Sequence, residues 1–254
     1  MRDIIEPFTA FLQKKALFRP AALPDDYTFE FEAPFEEHFL NTPDGARLHL
    51  LRFPSGWKQR RGAVLYFHGN RDHLQRWGAM HRDFTSRGFD FIAPDYRGYG
   101  KSSGEPSERA LYEDARLVYD WLRRDYPAHQ LVLYGRSLGT GVATFLAAHV
   151  QARILVLETP FDNIGGLLAS YLRRTTLPFR PAFFFPNDRH LRQTELPALL
   201  FHGTADRVVP YKSAARLQTC LKPGDEFVTL PGGTHGNLRE FKLYQDKLSE
   251  WLNR

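Results

Sequence analysis

Residues 131–141 read LVLYGRSLGTG, and they join an apolar, β-rich run to a helical pattern through a short turn. Gly135 and Gly139 flank Ser137 in the pattern GxSxG. A serine raised on such a strand-to-helix turn exposes its hydroxyl oxygen, and the two glycines leave room for the tight backbone. The N-terminus of the following helix also favours developing negative charge. The stretch therefore predicts Ser137 as a nucleophile at the carboxyl end of a strand.

A serine needs a base and an acid, and both are expected after later strands in the order acid, then histidine. Asp206 follows the apolar run ALLFHG, and His235 follows the run EFVTLP. Taken singly, Asp206 resembles a turn or capping aspartate and His235 an ordinary loop histidine. Because the carboxyl ends of parallel strands meet at one edge of a sheet, the ordered set predicts a Ser137–His235–Asp206 triad.

Negative charge that develops on a carbonyl oxygen requires backbone N–H donors. The pattern predicts one donor at Leu138, directly after the nucleophile, and a second at Asn70 in the loop YFHGNRD. Arg71 is the alternative for the second donor. His68 is expected to brace this loop by hydrogen bonds, because that is the commoner role of a histidine that ends a strand before a glycine.

Working outward from the turn, β-rich runs alternate with helical patterns from about residue 62. Strands are predicted within 62–69, 89–98, 130–137, 152–160, 198–206 and 226–233. Helices are predicted around 72–87, 107–126, 138–150, 211–221 and from 236 to the end, with Ser107 as an N-cap. Such alternation is typical of a mostly parallel sheet with helices on both faces. Residues 35–54 predict an antiparallel edge hairpin that turns at Pro43, Asp44 and Gly45.

Two segments stand apart from this βα pattern. Residues 1–24 form a predicted amphipathic segment, in which an apolar stripe packs on the body of the protein or on a second subunit or, as the less favoured alternative, on a membrane surface. The stripe is Ile4, Ile5, Phe8, Phe11 and Leu12, with Pro20 ending the helix. The main domain is predicted over residues 25–254, with a cap inserted at about 161–195. The substrate-binding residues predicted from these segments and loops are Arg71, Phe179, Phe183 and Phe184.

Composition narrows the class of protein further. The 254 residues are 43% hydrophobic and 25% charged, which suits a folded globular domain. The formal net charge is +5, but basic and acidic residues are interleaved, and no nucleic-acid-binding motif is present, so no nucleic-acid partner is predicted. One cysteine, Cys220, cannot form an internal disulfide, and no signal peptide is recognised, so a cytoplasmic location is expected. No residue spacing suggests a metal site, and no cofactor is predicted.

The motifs YFHGN, PDYRGYGKSSG, LYGRSLG, LETPF, FHGTADRVVP and GGTHGNL occur in this order. With them the chain, from about residue 40 to its end, resembles the α/β-hydrolase superfamily. The GRSLG turn and short cap resemble the branch that holds serine-aminopeptidase-like and monoacylglycerol-lipase-like enzymes and the membrane-anchored depalmitoylases. The resemblance implies an α/β-hydrolase fold, and it assigns the nucleophile to Ser137, the acid to Asp206, the base to His235 and the oxyanion donors to Asn70 and Leu138.

These observations predict a serine hydrolase that cleaves carboxylic esters, with short to medium acyl chains favoured by the apolar cap. The predicted partner is a small acyl ester, with peripheral membrane contact through residues 1–20 as a further possibility. A thioesterase or a serine peptidase would use the same triad, because the triad attacks all three kinds of carbonyl. A binding protein without activity is the alternative of a different class, since fold alone does not fix function.

Overall fold

A computed structural model describes residue 11, residues 13–171 and residues 181–254. In this part of the chain the backbone forms ten strands. They are β1 (Arg19–Pro20), β2 (Glu36–Asn41), β3 (Arg47–Phe53), β4 (Gly62–Phe67), β5 (Arg71–Asp72), β6 (Phe89–Pro94), β7 (Leu131–Arg136), β8 (Ile154–Glu158), β9 (Ala198–Gly203) and β10 (Glu226–Leu230). Every predicted strand lies within its expected range.

Eight of these strands form one sheet in the order β10-β9-β8-β7-β4-β6-β3-β2. The strands from β10 to β6 in this order run parallel, whereas β3 is antiparallel to both β6 and β2. The predicted hairpin is therefore confirmed as the antiparallel edge. Strands β4, β7, β8 and β9 are buried along their whole length, as expected for parallel strands that are covered on both faces.

Helices cover both faces of the sheet. They are α1 (Leu74–Trp77), α2 (Arg82–Thr85), α3 (Glu108–Leu122), α4 (Leu138–Ala147), α5 (Ile164–Tyr171), α6 (Asn187–Gln193), α7 (Tyr211–Arg216) and α8 (Lys242–Leu252). One apolar core lies between the sheet and α3, α4 and α6, and a second lies between the sheet and α1, α2 and α8. The predicted class, an α/β-hydrolase fold with a mostly parallel sheet, is confirmed.

One helix start was predicted from its capping residue, and one predicted helix is divided in the structure. Helix α3 begins after Ser107, whose hydroxyl accepts a hydrogen bond from the Ala110 N–H at 3.1 Å, as predicted. The helix predicted over 72–87 is instead divided into α1, a 3₁₀ turn at Gly78–His81 and α2. Gly78 packs directly on Phe31, and the Phe31 ring would lie 2.5 Å from a Cβ added at Gly78. The 3₁₀ turn is therefore in close contact with the loop that precedes β2.

The cap and the N-terminal segment both contact the main domain. Helix α5 packs against α7, whereas α6 packs against α4 and its first residue, Asn187, is completely buried. Residues 13–17 are helical, and the chain then enters β1, which pairs with β5. The predicted N-terminal stripe falls mostly on residues 1–10 and 12, which lie outside the described residues. None of the helices in the described ranges has the length and apolar character needed to cross a membrane.

Candidate active site

Ser137 lies on the turn between β7 and α4, with φ 52° and ψ −117°, a conformation that L-residues rarely adopt. The two flanking glycines explain how the backbone reaches it. A Cβ at Gly139 would lie 2.0 Å from the Phe67 carbonyl oxygen, and a Cβ at Gly135 would lie 2.5 Å from the Gly139 carbonyl oxygen. Neither position can hold a side chain without movement of the main chain. The sequence pattern thus reflects a close approach of α4 to β4.

The structure brings the three side chains of the predicted triad together. Nε2 of His235 lies 3.1 Å from Oγ of Ser137, and Nδ1 of His235 lies 2.8 Å from Oδ2 of Asp206. Because a carboxylate only accepts hydrogen bonds, Nδ1 carries the proton, and Nε2 is left to accept from the serine hydroxyl. This orientation is the one that a general base requires.

Asp206 is held ionised in its buried position. Burial alone would raise its pKa, but the hydrogen bond from His235 and that from the Val209 N–H outweigh it and leave the pKa below its usual value. The second carboxylate oxygen accepts from the N–H groups of Val208 and Val209 at 2.8 Å each. These bonds fix the carboxylate plane, so Asp206 can orient His235 without becoming protonated at neutral pH.

Asp162, the acidic residue after the preceding strand, is engaged elsewhere. Its carboxylate accepts from the Ser213 hydroxyl at 2.5 Å and from the Arg216 guanidinium, with Nη2 of that arginine at 3.0 Å. Both Asp162 and Asp206 are almost fully buried. Of the two, only Asp206 has a recorded hydrogen bond to His235, so Asp162 serves as a matched control for it.

The two predicted oxyanion donors lie on either side of Ser137. Leu138 is the first residue of α4, where a backbone N–H has no partner within the helix. Asn70 follows β4 and lines the same cavity. Among the described residues, no acceptor is recorded for either N–H. His68 is buried beneath this loop, with Nδ1 2.7 Å from the Gly69 carbonyl oxygen and Nε2 3.3 Å from Asp95, which agrees with the bracing role predicted for it.

A cavity of about 640 Å³ opens at Ser137. Part of its lining is apolar and is formed by α5 together with Leu138, Phe161 and Phe183. The lining also includes arginines, and none of the lining residues in the described part of the chain is a carboxylate. The arginines are Arg19, Arg71, Arg76 and Arg136. In the described ranges, no group of three or more His, Cys, Asp or Glu side chains is placed to hold a metal ion.

The predicted substrate-binding residues divide between these surfaces. Arg71 lines the cavity beside Asn70, and Phe183 lines it from the cap. Phe184 is not among the residues that line the cavity, so its predicted contact is wrong: its side chain is 60% exposed, and its backbone N–H donates to Glu108 at 2.6 Å. Phe179 lies outside the described residues.

Sequence reasoning missed Arg136, the residue before the nucleophile. Its guanidinium is buried, donates to the His235 carbonyl oxygen at 2.9 Å, lies 3.4 Å from Glu158 and covers the Trp77 ring at 5.2 Å. Arg136 and Glu158 are register partners at the ends of β7 and β8. Opposite charges that end two adjacent apolar strands were the available signal for this pair.

The N-terminal segment was also missed as part of the site. Gln13, Ala16, Leu17 and Arg19 all line the cavity. Gln13 is not part of the predicted apolar stripe, yet its Oε1 accepts a hydrogen bond from the Ala182 N–H of the cap at 2.8 Å. No local pattern in the sequence indicates this contact, because it joins residues 169 positions apart.

A mostly parallel sheet with helices on both faces and an exposed serine on a strand-to-helix turn defines an α/β-hydrolase. A family model described as serine aminopeptidase, S33, matches residues 58–184, which is half of the chain. The chain belongs to this family and is a hydrolase of the α/β class. The resemblance inferred from the motifs is confirmed at this level.

Individual relatives add detail. The chain is 32% identical over 187 residues to the lysophosphatidylserine lipase ABHD12 of Macaca fascicularis, a match that covers 65% of this chain and 46% of that protein. The chain thus spans less than half the length of that relative. It is 28% identical to an uncharacterized protein of Mycobacterium tuberculosis, covering 94% of this chain and 87% of the other. An esterase structure from Pyrococcus furiosus shares the fold, with a TM-score of 0.70, 19% identity, and coverage of 94% of this chain and 98% of that one.

Proposed function

We propose that the protein hydrolyses carboxylic esters by two-step acyl transfer at Ser137. His235 takes the hydroxyl proton as Oγ attacks the ester carbonyl, and it then returns that proton to the leaving alcohol. The acyl group stays on Oγ until a water molecule, activated by the same imidazole, releases it as a carboxylic acid. The single observation that carries this proposal is the hydrogen-bonded chain from Oγ through His235 to Asp206, at 3.1 and 2.8 Å.

In this mechanism the N–H groups of Asn70 and Leu138 stabilise the oxyanion of each tetrahedral intermediate. Their lack of recorded acceptors among the described residues supports the assignment. Asp206 keeps the proton on Nδ1 and stabilises the imidazolium that forms during attack, which fits its lowered pKa.

The apolar part of the cavity lining favours an acyl chain as the group bound next to the serine. Leu167, Leu168 and Phe183 belong to this part, and each methylene that leaves water there contributes about 0.8 kcal/mol. We therefore expect kcat/KM to rise several-fold per two carbons from acetate through butyrate to hexanoate, until the pocket is filled. Thioester and aminoacyl amide substrates are the competing classes for the same triad.

A second candidate, hydrolysis of an acyl ester whose alcohol part carries a phosphate or carboxylate, is favoured by the arginines in the lining of the cavity. Arg19 and Arg71 have no ion pair recorded within the described residues, and they face a cavity that no described carboxylate lines. The name of the ABHD12 relative, a lysophosphatidylserine lipase, points to the same substrate class. Arginine binds phosphate and carboxylate oxygens in bidentate fashion, which suits this role.

One panel of substrates tests both candidates. Purified protein is given p-nitrophenyl acetate, butyrate and hexanoate, an acyl thioester, an aminoacyl nitroanilide, a monoacylglycerol and a lysophospholipid with the same acyl chain, each beside Ser137→Ala. Ser137-dependent cleavage of the esters, with butyrate or hexanoate ahead of acetate, is the expected result. Faster cleavage of the lysophospholipid than of the neutral monoacylglycerol, reversed in Arg71→Gln, would select the anionic class. A preference for the nitroanilide would instead identify a peptidase.

Labelling with a fluorophosphonate checks the nucleophile independently of the substrate. Such a probe reacts with an activated serine, so we expect one labelled site in the wild type and none in Ser137→Ala. Labelling that persists in Ser137→Ala would disprove the assignment, and absence of any Ser137-dependent turnover or labelling would leave a binding protein.

A further inference from the structure

Asn70 is fixed from three directions by groups outside its own loop. Its carbonyl oxygen accepts from the Arg19 N–H at 3.1 Å and from the Tyr99 hydroxyl at 3.0 Å. Its side-chain amide donates to the Leu17 carbonyl oxygen at 3.0 Å. The N-terminal segment therefore holds both the main chain and the side chain of this residue.

Tyr99 links the two sides of this arrangement through one hydroxyl. It accepts from the Arg19 N–H at 2.9 Å while it donates to Asn70. The residue is fully buried, and burial raises the pKa of its phenol, so the hydroxyl stays protonated and able to donate throughout the neutral range. The ring packs edge-on against Tyr96, with ring centroids 5.7 Å apart, which sets the direction of the hydroxyl.

The segment itself is anchored to the body of the protein. Phe18 is buried and packs edge-on against Phe183 of the cap at 5.2 Å, and Lys14 pairs with Glu105 at 2.8 Å. Residues of β1 extend the anchor by pairing with β5, which follows Asn70 directly. A displacement of this segment would therefore be passed to Asn70 and not absorbed by a free loop.

We propose that Tyr99 and the backbone of residues 17–19 are positioning groups that set the place of the Asn70 N–H and thereby the rate of acyl transfer. This inference rests on the proposed function, in which Asn70 supplies the second oxyanion donor. Loss of one oxyanion donor typically costs a factor of about 10² to 10³ in kcat. When the donor is kept but is held less firmly, kcat should fall by a smaller factor. We expect loss of the Tyr99 hydroxyl to lower kcat about tenfold.

Tyr99→Phe tests the proposal, because it removes one oxygen and leaves the ring. The matched control is Tyr119→Phe: that residue is also buried, and its hydroxyl also donates to a backbone carbonyl, that of Gln151. Both variants should lose similar thermal stability. Only Tyr99→Phe should lower kcat about tenfold, with KM for p-nitrophenyl butyrate changed less than twofold, because the donor acts mainly on the transition state.

An alkyl boronic acid provides a readout that a general loss of stability does not move. It forms a tetrahedral adduct on Oγ and places a boron-bound oxygen where the oxyanion develops, so its affinity should fall in Tyr99→Phe by the same factor as kcat. Arg19→Pro removes the backbone N–H, whereas Arg19→Ala keeps this donor and removes the same side chain. The boronic acid should therefore bind more weakly to Arg19→Pro than to Arg19→Ala.

The outcomes distinguish failure of the proposed ester hydrolysis from failure of the positioning role of Tyr99 and residues 17–19. If the wild type shows no Ser137-dependent hydrolysis, the proposed function fails. If the wild type is active but Tyr99→Phe matches Tyr119→Phe in kcat and in boronic acid affinity, the positioning role is refuted while the proposed function stands. Equal affinities in Arg19→Pro and Arg19→Ala would also contradict it.

Discussion

Replacing Arg136 by methionine tests the buried ion pair beside the nucleophile. The side chains of Arg136 and Glu158 are 9% and 1% exposed, and their charged atoms lie 3.4 Å apart. Removal of one partner of a buried pair typically costs about 3 to 5 kcal/mol, because the remaining charge stays in the interior. The Tyr134 hydroxyl still donates to Glu158 at 2.5 Å, so we expect the lower half of this range, about 3 to 4 kcal/mol.

The same substitution should also lower activity. Arg136 donates to the His235 carbonyl oxygen at 2.9 Å and so connects the turn that carries Ser137 with the loop that carries His235. Without this bond, we expect the Oγ to Nε2 distance to vary more widely and kcat to fall about tenfold. KM should change little, because three of the arginines that line the cavity stay in place.

Urea unfolding and kcat are measured for the wild type, Arg136→Met, Glu158→Gln and the double variant. Because the double variant leaves no uncompensated charge, it should be less destabilised than the two single variants predict when added. Arg116→Met is the control: its pair with Asp120 is half exposed and should contribute less than about 1 kcal/mol. A loss below 1 kcal/mol in Arg136→Met, or strict additivity in the cycle, would refute this account.

Three further predictions concern the acid, the turn and the pH dependence of stability. Asp206→Asn should lower kcat by about 10⁴, whereas the equally buried Asp162→Asn should leave kcat within a few-fold; initial rates with p-nitrophenyl butyrate decide, and the reverse order would move the acid to Asp162. Gly139→Ala should cost at least about 3 kcal/mol in urea unfolding, because its Cβ would lie 2.0 Å from the Phe67 carbonyl oxygen, and wild-type stability would exclude so close a contact. Burial lowers the pKa of His190 to about 4, so between pH 6.5 and 4 the unfolded chain binds a proton there that the folded protein excludes. The free energy of unfolding should therefore fall more in the wild type than in His190→Leu as the pH is lowered from 6.5 to 4. Equal pH dependence of this free energy in the two proteins would contradict the prediction.

Much of the fold follows from local patterns in the sequence. Each central strand is a short apolar run, and burial on both faces of a parallel sheet requires such runs. The GxSxG turn was predictable because the close main-chain contacts at Gly135 and Gly139 leave no room for a side chain. The spatial meeting of Ser137, Asp206 and His235 followed from their common position after parallel strands. These features depend on neighbouring residues or on one rule of sheet topology.

What could not be predicted depends on contacts between distant segments. Gln13, Ala16, Leu17 and Arg19 line the cavity because β1 pairs with β5 and Phe18 packs against Phe183 of the cap. No local sequence pattern indicates either contact. Phe184 was expected in the cavity because it lies among other phenylalanines. Its backbone N–H instead donates to Glu108, 76 positions earlier, and its side chain is exposed to solvent.

The two sides of Ser137 differ in how firmly they are held. On the histidine side, the Ala205 N–H after β9 donates to the Gly233 carbonyl oxygen after β10 at 2.9 Å. Arg136 connects the loop that carries His235 to the turn that carries Ser137. Gly233 and the Arg136 side chain, which take part in these bonds, are buried. On the oxyanion side, Asn70 depends on Tyr99 and on residues 17–19, whose neighbours in the described part of the chain, 13–16 and 20–24, are exposed or half-buried. Since local opening is easiest where few apolar contacts are buried, this segment should open before the triad does. A condition or partner that displaces residues 17–19 should therefore change kcat by moving the Asn70 N–H, while the hydrogen bond between His235 and Asp206 is kept.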